Sequence, residues 1–324
     1  MTGADARWLA AAACLAERAR PLSRPNPAVG AIVVKDGIVL GRGWTHAGGR
    51  PHAEAIALGQ AGEAARGATL YVTLEPCAHQ SERGPACAGL TVSSGIARAV
   101  IGIEDPDPRT AGQGVERLKA AGVDATLADD PVCRDSLAGY LVRRREGRPF
   151  VTLKLAITAD GFVARADGTS KWITGEIARA HAHRERARSD AILVGGRTLR
   201  IDEPRLDVRL PGLEERSPRR ALLTRGDSVD GWETLQNPGD VHRLHGVNDL
   251  LVEGGSATAT AFLSEDLVDR ILIYRAPIIV GEGKSSFGYV GLDAVADAHG
   301  RWSLVDEQRL GVDRLEVYER VREG

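Results

Sequence analysis

The segment that decides the fold is LEPCAHQSERGPAC, residues 74–87, considered together with PHAEAIAL, residues 51–58. The first holds Cys77 and Cys87 with nine residues between them, and the second holds His52. Two such cysteines can form a disulfide, can be unrelated buried thiols, or can bind a metal together with a histidine. The three alternatives predict different functions for the first half of the chain.

Bulk composition limits the classes of protein to consider. The chain has 324 residues, which is longer than most single hydrophobic cores and predicts two domains. Hydrophobic residues make up 43% and charged residues 27%, the composition of a soluble globular protein. The net charge of -2 argues against a nucleic-acid partner or an anionic membrane surface, because such partners select a basic surplus. A small anionic substrate remains compatible with this balance.

The N-terminal residues 1–20 indicate an alanine-rich amphipathic helix rather than a signal peptide. The apolar run from Trp8 to Ala13 is too short for a signal peptide, and Asp5 precedes it. No stretch reaches the 18 or so apolar residues of a membrane span. We therefore expect a cytoplasmic protein without a membrane partner. In that reducing compartment a cysteine pair more often serves a metal or catalysis than a disulfide.

The first half of the chain predicts a mixed α/β sheet covered by helices. Two apolar runs in residues 28–44 are split by Asp36-Gly37, which is a hairpin signal. Further along, helical spacing is found at 53–65, β-rich runs at 68–75 and 97–106, and a helix followed by a short strand at 112–128.

A domain boundary is predicted in RRREGRPF, residues 143–150, where apolar periodicity gives way to Arg, Gly and Pro, as in a solvated linker. We assign residues 1–146 to the first domain and 147–324 to the second. The second domain is also predicted to be α/β. Its expected strands lie at 150–158, 190–196, 219–226, 249–253 and 270–281, and its expected helices at 176–188 and 257–266.

Zinc is the metal that the cysteine and histidine pattern favours. Zinc-dependent nucleobase deaminases carry H-x-E followed by P-C-x-x-C, and an activating zinc keeps three protein ligands and one open position. His52 and Glu54 match the first element and Cys77 the second, although nine residues rather than two precede Cys87. We predict His52, Cys77 and Cys87 as zinc ligands and Glu54 as the proton shuttle, with a helix beginning near Pro76. The alternative is a core histidine and two buried thiols.

The first domain resembles the deaminase half of the bifunctional riboflavin-biosynthesis deaminase/reductase family. The resemblance rests on PNPAVGAIVVKDG (25–37), GGRPHAEAIAL (48–58), YVTLEPCAH (71–79), GPAC (84–87) and DPDPRTAGQG (105–114). That family also has a long loop between its cysteine ligands, and the loop here is one residue longer. The resemblance implies a cytidine-deaminase-like three-layer domain and a 2,5-diamino-6-(phosphoribosylamino)pyrimidinone substrate. It also implies substrate contacts at Asn26, His79 and Arg83.

The second domain is similar to the reductase half of the same family. The matching stretches are TLKLAITADG (152–161), SKWITG (170–175), DEPRLDVR (202–209), LLVEGG (250–255) and VDRILIYRAP (268–277). The resemblance implies a dihydrofolate-reductase-like fold that uses NADPH. It implies cofactor contacts at Ala156, Trp172, Thr198, Asp202, Gly255, Ser256, Ala257, Thr258, Ala259, Thr260 and Ala261. The implied substrate contacts are Ser170, Arg186, Leu206, Arg209 and Glu253.

Some residues of the second domain also carry weight on their own chemistry. Lys154 lies in an otherwise apolar strand, where a charge must pair, reach solvent or act on substrate. This environment, together with the matching lysine of the family that the domain resembles, predicts that Lys154 is catalytic. The glycine pairs Gly195-Gly196 and Gly254-Gly255 follow strands and allow backbone to approach a phosphate, although such pairs are more often tight turns. Lys154, Asp202 and Glu253 are the candidate proton donors for reduction.

Three competing interpretations remain. The main alternative is an active deaminase whose degenerate reductase domain serves packing or dimerisation. Two departures from the family that the domain resembles favour it: Glu203 stands where that family usually has aspartate, and the stretch from Arg209 to Val252 is shorter than expected. A nucleic-acid deaminase is disfavoured by 4% aromatic residues and the net charge of -2. A structural zinc module is disfavoured because such sites usually have four Cys/His ligands. A homodimer is compatible with the sequence.

Overall fold

The computed structural model describes residues 2–79 and 84–322. The chain divides into two compact units, Met1–Gly147 and Arg148–Gly324. Within the described ranges, no helix combines the length and the apolar character needed to cross a membrane.

The first unit is built on a sheet of five described strands. They are β1 (Gly30–Lys35), β2 (Ile38–Trp44), β3 (Thr69–Leu74), β4 (Arg98–Ile103) and β5 (Asp124–Leu127), in the order β2-β1-β3-β4-β5. β1 pairs antiparallel with β2 and β3, whereas β3, β4 and β5 run parallel. Asp36 and Gly37 both have positive φ, 53° and 77°, as a tight hairpin turn requires. The predicted hairpin is confirmed.

Helices pack against this sheet in two groups. They are α1 (Gly3–Ala16), α2 (Ala53–Ala61), α3 (Cys87–Ser93), α4 (Gln113–Ala120), α5 (Pro131–Ser136) and α6 (Ala138–Glu146). α1 contacts β1, β3 and α5, while α2 contacts β1, β2 and α3. A Cβ at Gly41 would lie 2.0 Å from the carbonyl oxygen of Ala57, and one at Gly43 would lie 2.3 Å from that of Ala53. Only glycine admits this close packing, which fixes α2 and the predicted site residues at its start.

Two sequence-based expectations about elements are wrong. No helix begins at Pro76, because the Glu75 N–H still donates to the Ile103 carbonyl and keeps the chain extended beside β4. The helix begins at Cys87 instead. The expected linker is also absent from the described chain at residues 143–146, which form the last turn of α6. Arg148, directly beyond it, is buried.

The second unit contains a larger sheet of eight described strands. They are β6 (Phe150–Ile157), β8 (Ala191–Gly195), β9 (Arg219–Leu223), β10 (Glu233–Leu235), β11 (Asp249–Val252), β12 (Arg270–Arg275), β14 (Trp302–Leu310) and β15 (Asp313–Arg320). Their order is β10-β9-β8-β11-β6-β12-β15-β14. The strands from β10 to β12 are parallel, and β15 and β14 add antiparallel. β7 (Phe162–Arg165) and β13 (Gly283–Ser285) form a separate ribbon, and the helices are α7 (Glu176–Arg186), α8 (Gly196–Asp202) and α9 (Ser256–Ser264).

The central strand β6 separates core from site by simple alternation. Leu153, Leu155 and Ile157 are buried in the main core of this unit. Lys154 and Ala156 point to the opposite face and are partly exposed. A two-residue period therefore places the predicted catalytic lysine and a predicted cofactor contact side by side.

Candidate functional site

The three predicted zinc ligands meet in the first unit. His52 is the N-cap residue of α2, Cys87 is the first residue of α3, and Cys77 follows β3. Their candidate ligand atoms lie within 4.8 Å of one another. His52 Nδ1 is 3.3 Å from Cys87 Sγ and 3.7 Å from Cys77 Sγ. One imidazole nitrogen and two sulfur atoms form a donor set that suits zinc, and all four cysteines of the chain are free.

The electrostatics of this cluster favour a cation. The Cys87 side chain and backbone N–H both donate to Cys77, the latter at 3.3 Å, and lower the pKa of the Cys77 thiol. The hydrogen bond to Cys77 and burial both raise the pKa of the Cys87 thiol. Burial raises the pKa of Glu54, which lies in the first turn of α2 and is 3% exposed. Two sulfur ligands and a buried carboxyl group thus lie beside His52, an arrangement that favours a bound cation.

The residues expected to contact the pyrimidine substrate lie on segments flanking the cluster. Asn26 Nδ2 donates to the Gly49 carbonyl at 3.2 Å, on the loop that leads into His52. His79 Nδ1 is 3.4 Å from Thr110 Oγ1. Arg83 lies outside the described residues. Sequence reasoning assigns no role to Thr110, although it stands within the motif DPDPRTAGQG.

A charged triad occupies the predicted reductase site. Glu253, which follows β11, is bound by Arg186 of α7 through two hydrogen bonds of 2.6 and 2.9 Å, and Lys154 Nζ is 3.8 Å from it. Arg186 also donates to the Asp207 carbonyl at 3.2 Å. Burial acts to raise the pKa of Glu253, but Lys154 and Arg186 outweigh it and lower the pKa to about 2. Glu253 is therefore ionised near neutral pH, and the Arg186 guanidinium binds the Glu253 carboxylate directly.

The other predicted substrate contacts differ in exposure. The Arg209 side chain is 59% exposed and lies beside His183 at the wall of a groove of about 450 Å³. Ser170 is also exposed. Leu206, in contrast, is 4% exposed and belongs to a buried apolar cluster, so a contact there would involve its backbone.

The predicted cofactor residues cluster after the carboxyl ends of parallel strands, where ligands bind in open α/β sheets. α8 follows β8 and carries Thr198 and Asp202, and α9 follows β11 with Gly255 as its N-cap. Trp172 is 70% exposed. Within the run Gly255, Ser256, Ala257, Thr258, Ala259, Thr260 and Ala261, Thr258 and Ala259 are buried and the others are at least partly exposed.

The glycine pairs have a packing role. A Cβ at Gly195 would lie 2.3 Å from Thr258 Oγ1, and one at Gly254 would lie 2.5 Å from Thr258 Cβ. Both glycines therefore make room for Thr258, which draws the start of α9 against the ends of β8 and β11. The sequence predicts phosphate approach or tight turns at these positions, and it gives no sign of the contact with Thr258.

Comparison with known families places both units. Residues 3–103 match the family “Cytidine and deoxycytidylate deaminase zinc-binding region”, and residues 149–235 and 241–314 match “RibD C-terminal domain”. Together with the metal cluster of the first unit, these matches define a zinc-dependent deaminase joined to a reductase. The chain belongs to the RibD family of riboflavin biosynthesis proteins.

Similarity to this family extends over nearly the whole chain. “Riboflavin biosynthesis protein RibD” of Aquifex aeolicus (strain VF5) is 37% identical, with 91% of this chain and 92% of that protein covered. The protein of that name from Escherichia coli (strain K12) is 35% identical, with coverages of 91% and 94%. The solved structure of Acinetobacter baumannii RibD, form 1, is 33% identical and superposes with a TM-score of 0.86, covering 98% of this chain and 99% of that one.

A second solved structure is that of a protein named for both activities. The diaminohydroxyphosphoribosylaminopyrimidine deaminase/5-amino-6-(5-phosphoribosylamino)uracil reductase of Thermotoga maritima is 29% identical, with a TM-score of 0.86 and coverages of 98% and 99%. The predictions of a bifunctional deaminase and reductase, of zinc and of NADPH are confirmed at the level of the family. No finding supports the alternative of a degenerate reductase domain.

Proposed function

We propose that the first domain, residues 1–146, hydrolyses the 2-amino group of 2,5-diamino-6-(5-phosphoribosylamino)pyrimidin-4(3H)-one. The observation that carries this proposal is the meeting of three ligand atoms within 4.8 Å beside a buried glutamate. His52, Cys77 and Cys87 would hold zinc, which when bound supplies the Lewis acidity that lowers the pKa of water. The enzyme's expected setting is the cytoplasm, with a small-molecule substrate and no nucleic-acid or membrane partner.

Glu54 is the group that moves protons in this proposal. It lies on the same helical turn as His52, so its carboxylate is held beside the ligands without being one of them. It accepts a proton from the attacking water and passes it to a ring nitrogen. It then takes the proton of the new hydroxyl on C2 and delivers it to the amino group, which leaves as ammonia when the carbonyl forms. Asn26 and His79 orient the pyrimidine from the flanking segments.

The second domain, residues 147–324, then reduces the ribosyl group to ribityl in the proposed sequence. NADPH, when bound, would supply the hydride that reduces C1′ of the ring-opened ribose. Of the candidate proton donors, Glu253 is ionised by its two cationic neighbours, and Asp202 lies at the exposed end of α8. Lys154 places its Nζ 3.8 Å from Glu253 and shares a face of β6 with Ala156, a predicted cofactor contact. We therefore assign the donor role to Lys154.

A coupled assay tests the whole proposal. Purified protein is given the diaminopyrimidine ribotide and NADPH, and ammonia release is measured beside the loss of NADPH absorbance. Equal amounts of both are expected. Ammonia release without NADPH oxidation would contradict the reductase assignment. The absence of both reactions in zinc-loaded protein would contradict the assignment of the substrate.

The role of Lys154 has a separate test. Lys154→Met keeps the length and apolar stem of the side chain and removes its ammonium, so we expect reduction to fall at least about 100-fold while ammonia release is unchanged. Lys284→Met, at a partly exposed lysine on β13, serves as the control. Reduction at the normal rate in Lys154→Met would rule out this donor.

A further inference from the structure

The segment from Glu75 to His79 carries Cys77 and His79 but belongs to no helix or strand. Its position therefore depends on what packs against it. α4 contacts the backbone of this segment at two points. A Cβ at Gly114 would lie 2.2 Å from the Pro76 carbonyl oxygen, and Arg117 Nη1 donates to the Ala78 carbonyl at 3.3 Å.

Glu75 supplies the strongest of these connections. Its Oε2 accepts from the backbone N–H groups of Gly112 at 3.0 Å and Asp105 at 3.3 Å, and its Oε1 accepts from Val115 N–H at 3.0 Å. Gly112 is the N-cap residue of α4 and has no side chain to cap the helix. The carboxylate of Glu75, 2% exposed, thus caps α4 from a distant part of the chain.

The loop between these anchors holds the ring of His79. Thr110 lies between Asp105 and Gly112, is 1% exposed, and places its Oγ1 3.4 Å from His79 Nδ1. Its backbone N–H donates to the Asp107 carbonyl at 2.8 Å, which fixes the loop locally. The orientation of the imidazole is therefore set by a loop whose two ends are tied to Glu75.

We propose that Glu75 is a positioning residue of the deaminase: by capping α4 and binding Asp105 N–H, it holds Thr110 against His79 and so orients that imidazole toward the pyrimidine substrate. This inference rests on the proposed function, in which His79 contacts substrate. Glu75 itself touches neither the substrate nor the ligand atoms in this role.

The test compares Glu75→Gln with two variants of Thr110. Glu75→Gln keeps the size of the side chain but turns one acceptor oxygen into an N–H donor facing backbone donors. We expect KM for the diaminopyrimidine ribotide to rise about tenfold, with kcat and zinc content close to the wild type, because orientation of a binding group is lost. Thr110→Val should reproduce the effect, and Thr110→Ser, which keeps the hydroxyl, should restore the normal KM.

A double-mutant cycle shows whether the two residues act through one another. If they do, the double variant Glu75→Gln/Thr110→Val has the KM of Glu75→Gln alone, because the contact is lost only once. Effects that multiply would overturn the proposal. If Glu75→Gln does not fold, Glu75→Asp, whose carboxylate is one methylene shorter, takes its place in the cycle.

A matched control separates positioning from helix capping in general. Asp130 is also buried, caps α5 and accepts from Cys133 N–H at 2.9 Å. Asp130→Ala should lower stability to a similar degree without changing KM. Glu75→Gln changing stability but not KM would overturn the proposal.

A readout that needs no substrate separates this inference from the proposed function. The ¹⁵N chemical shift of His79 Nδ1 is expected to change in Glu75→Gln and in Thr110→Val and to stay unchanged in Asp130→Ala. If the wild-type enzyme released no ammonia while these shifts moved, the substrate assignment would fail and the coupling would stand. Unchanged shifts in both variants would overturn the coupling whatever the activity.

Discussion

Among single residues, Glu54 is the side chain on which deamination should depend most. Glu54→Gln keeps the shape of a buried residue and removes its ability to exchange protons. We expect ammonia release to fall about 100-fold or more, with zinc content unchanged. Metal analysis and an ammonia assay on one sample check both points. Glu63→Gln, at an exposed position shortly after α2, is the matched control, and near-normal turnover by Glu54→Gln would remove it from the mechanism.

The charge of Glu253 should make stability depend on pH in the acid range. Its pKa is about 2 in the folded protein against an ordinary 4.5, so its contribution is complete above about pH 4.5 and is lost as the pH falls toward 2. The full contribution is on the order of 3 kcal/mol. Urea unfolding of wild type and Glu253→Gln should differ less at pH 3.5 than at pH 6, by about 1 kcal/mol. An equal difference between wild type and Glu253→Gln at the two pH values would refute the assignment.

Residue chemistry could be predicted from the sequence where the pattern is local. His52 and Glu54 stand two apart at a helix start, and the order of the cysteines completes a known donor set. The hydrogen bonds of Arg186 could not be predicted in this way, because its partner Glu253 is 67 positions away. The sequence shows that a guanidinium is present at this position but not which carboxylate binds it. The burial of Leu206 depends on distant neighbours for the same reason.

At the scale of elements, the approach of α9 to the ends of β8 and β11 should be sensitive to one methyl group. Gly254→Ala would place a Cβ 2.5 Å from Thr258 Cβ. We expect a loss of about 1–3 kcal/mol in stability and weaker NADPH binding, since the helix start must shift. Calorimetry and a cofactor titration measure the two effects.

Two companion variants give the Gly254→Ala result its meaning. Gly59→Ala introduces the same methyl group into α2 with no neighbouring atom within 4 Å and should not destabilise the protein. Thr258→Gly in the Gly254→Ala background removes the Cβ that the new methyl group meets and should recover part of the lost stability. An affinity unaffected by Gly254→Ala would show that this contact does not position the cofactor site.

Elements were predictable where periodicity and turn chemistry agree, as in the hairpin at Asp36-Gly37. The expected helix at Pro76 failed because a proline is compatible with a helix start but does not require one. A backbone hydrogen bond from Glu75 to β4 keeps the chain extended there. The expected linker failed because the arginines 143–145 form the last turn of a helix, where Arg143 is partly buried and Arg144 pairs with Asp107. Composition alone does not distinguish a helix end from a linker.

For the whole molecule, zinc removal should separate the two activities. All three candidate ligands belong to the first unit, while Lys154, Arg186 and Glu253 belong to the second. Treatment with a chelator is expected to abolish ammonia release and to leave NADPH oxidation with the deaminated pyrimidine unchanged. Added zinc should restore the first activity. Simultaneous loss of both would mean that the metal supports the second unit as well.

The length of the chain and the restart of strand patterns after residue 150 predict two units, and their two families follow from the motifs in each. Single positions within the units were less predictable where a contact joins distant segments, as for Glu75 with Gly112 and Val115. Local propensity carries no information about such pairs. The overall architecture can therefore be predicted from the sequence more fully than the contacts that position the site residues.

The passage from one unit to the next has a consequence for recombination between relatives. α6 ends at Glu146, Gly147 turns the chain with φ 72°, and Arg148 is already buried and ion-paired with Asp269 at 2.6 Å. A chimera that took residues up to Arg148 from this chain and the remainder from a relative would separate this arginine from its own partner, Asp269. A viable crossover should therefore fall at Gly147, the single residue between the end of α6 and the ion-paired Arg148.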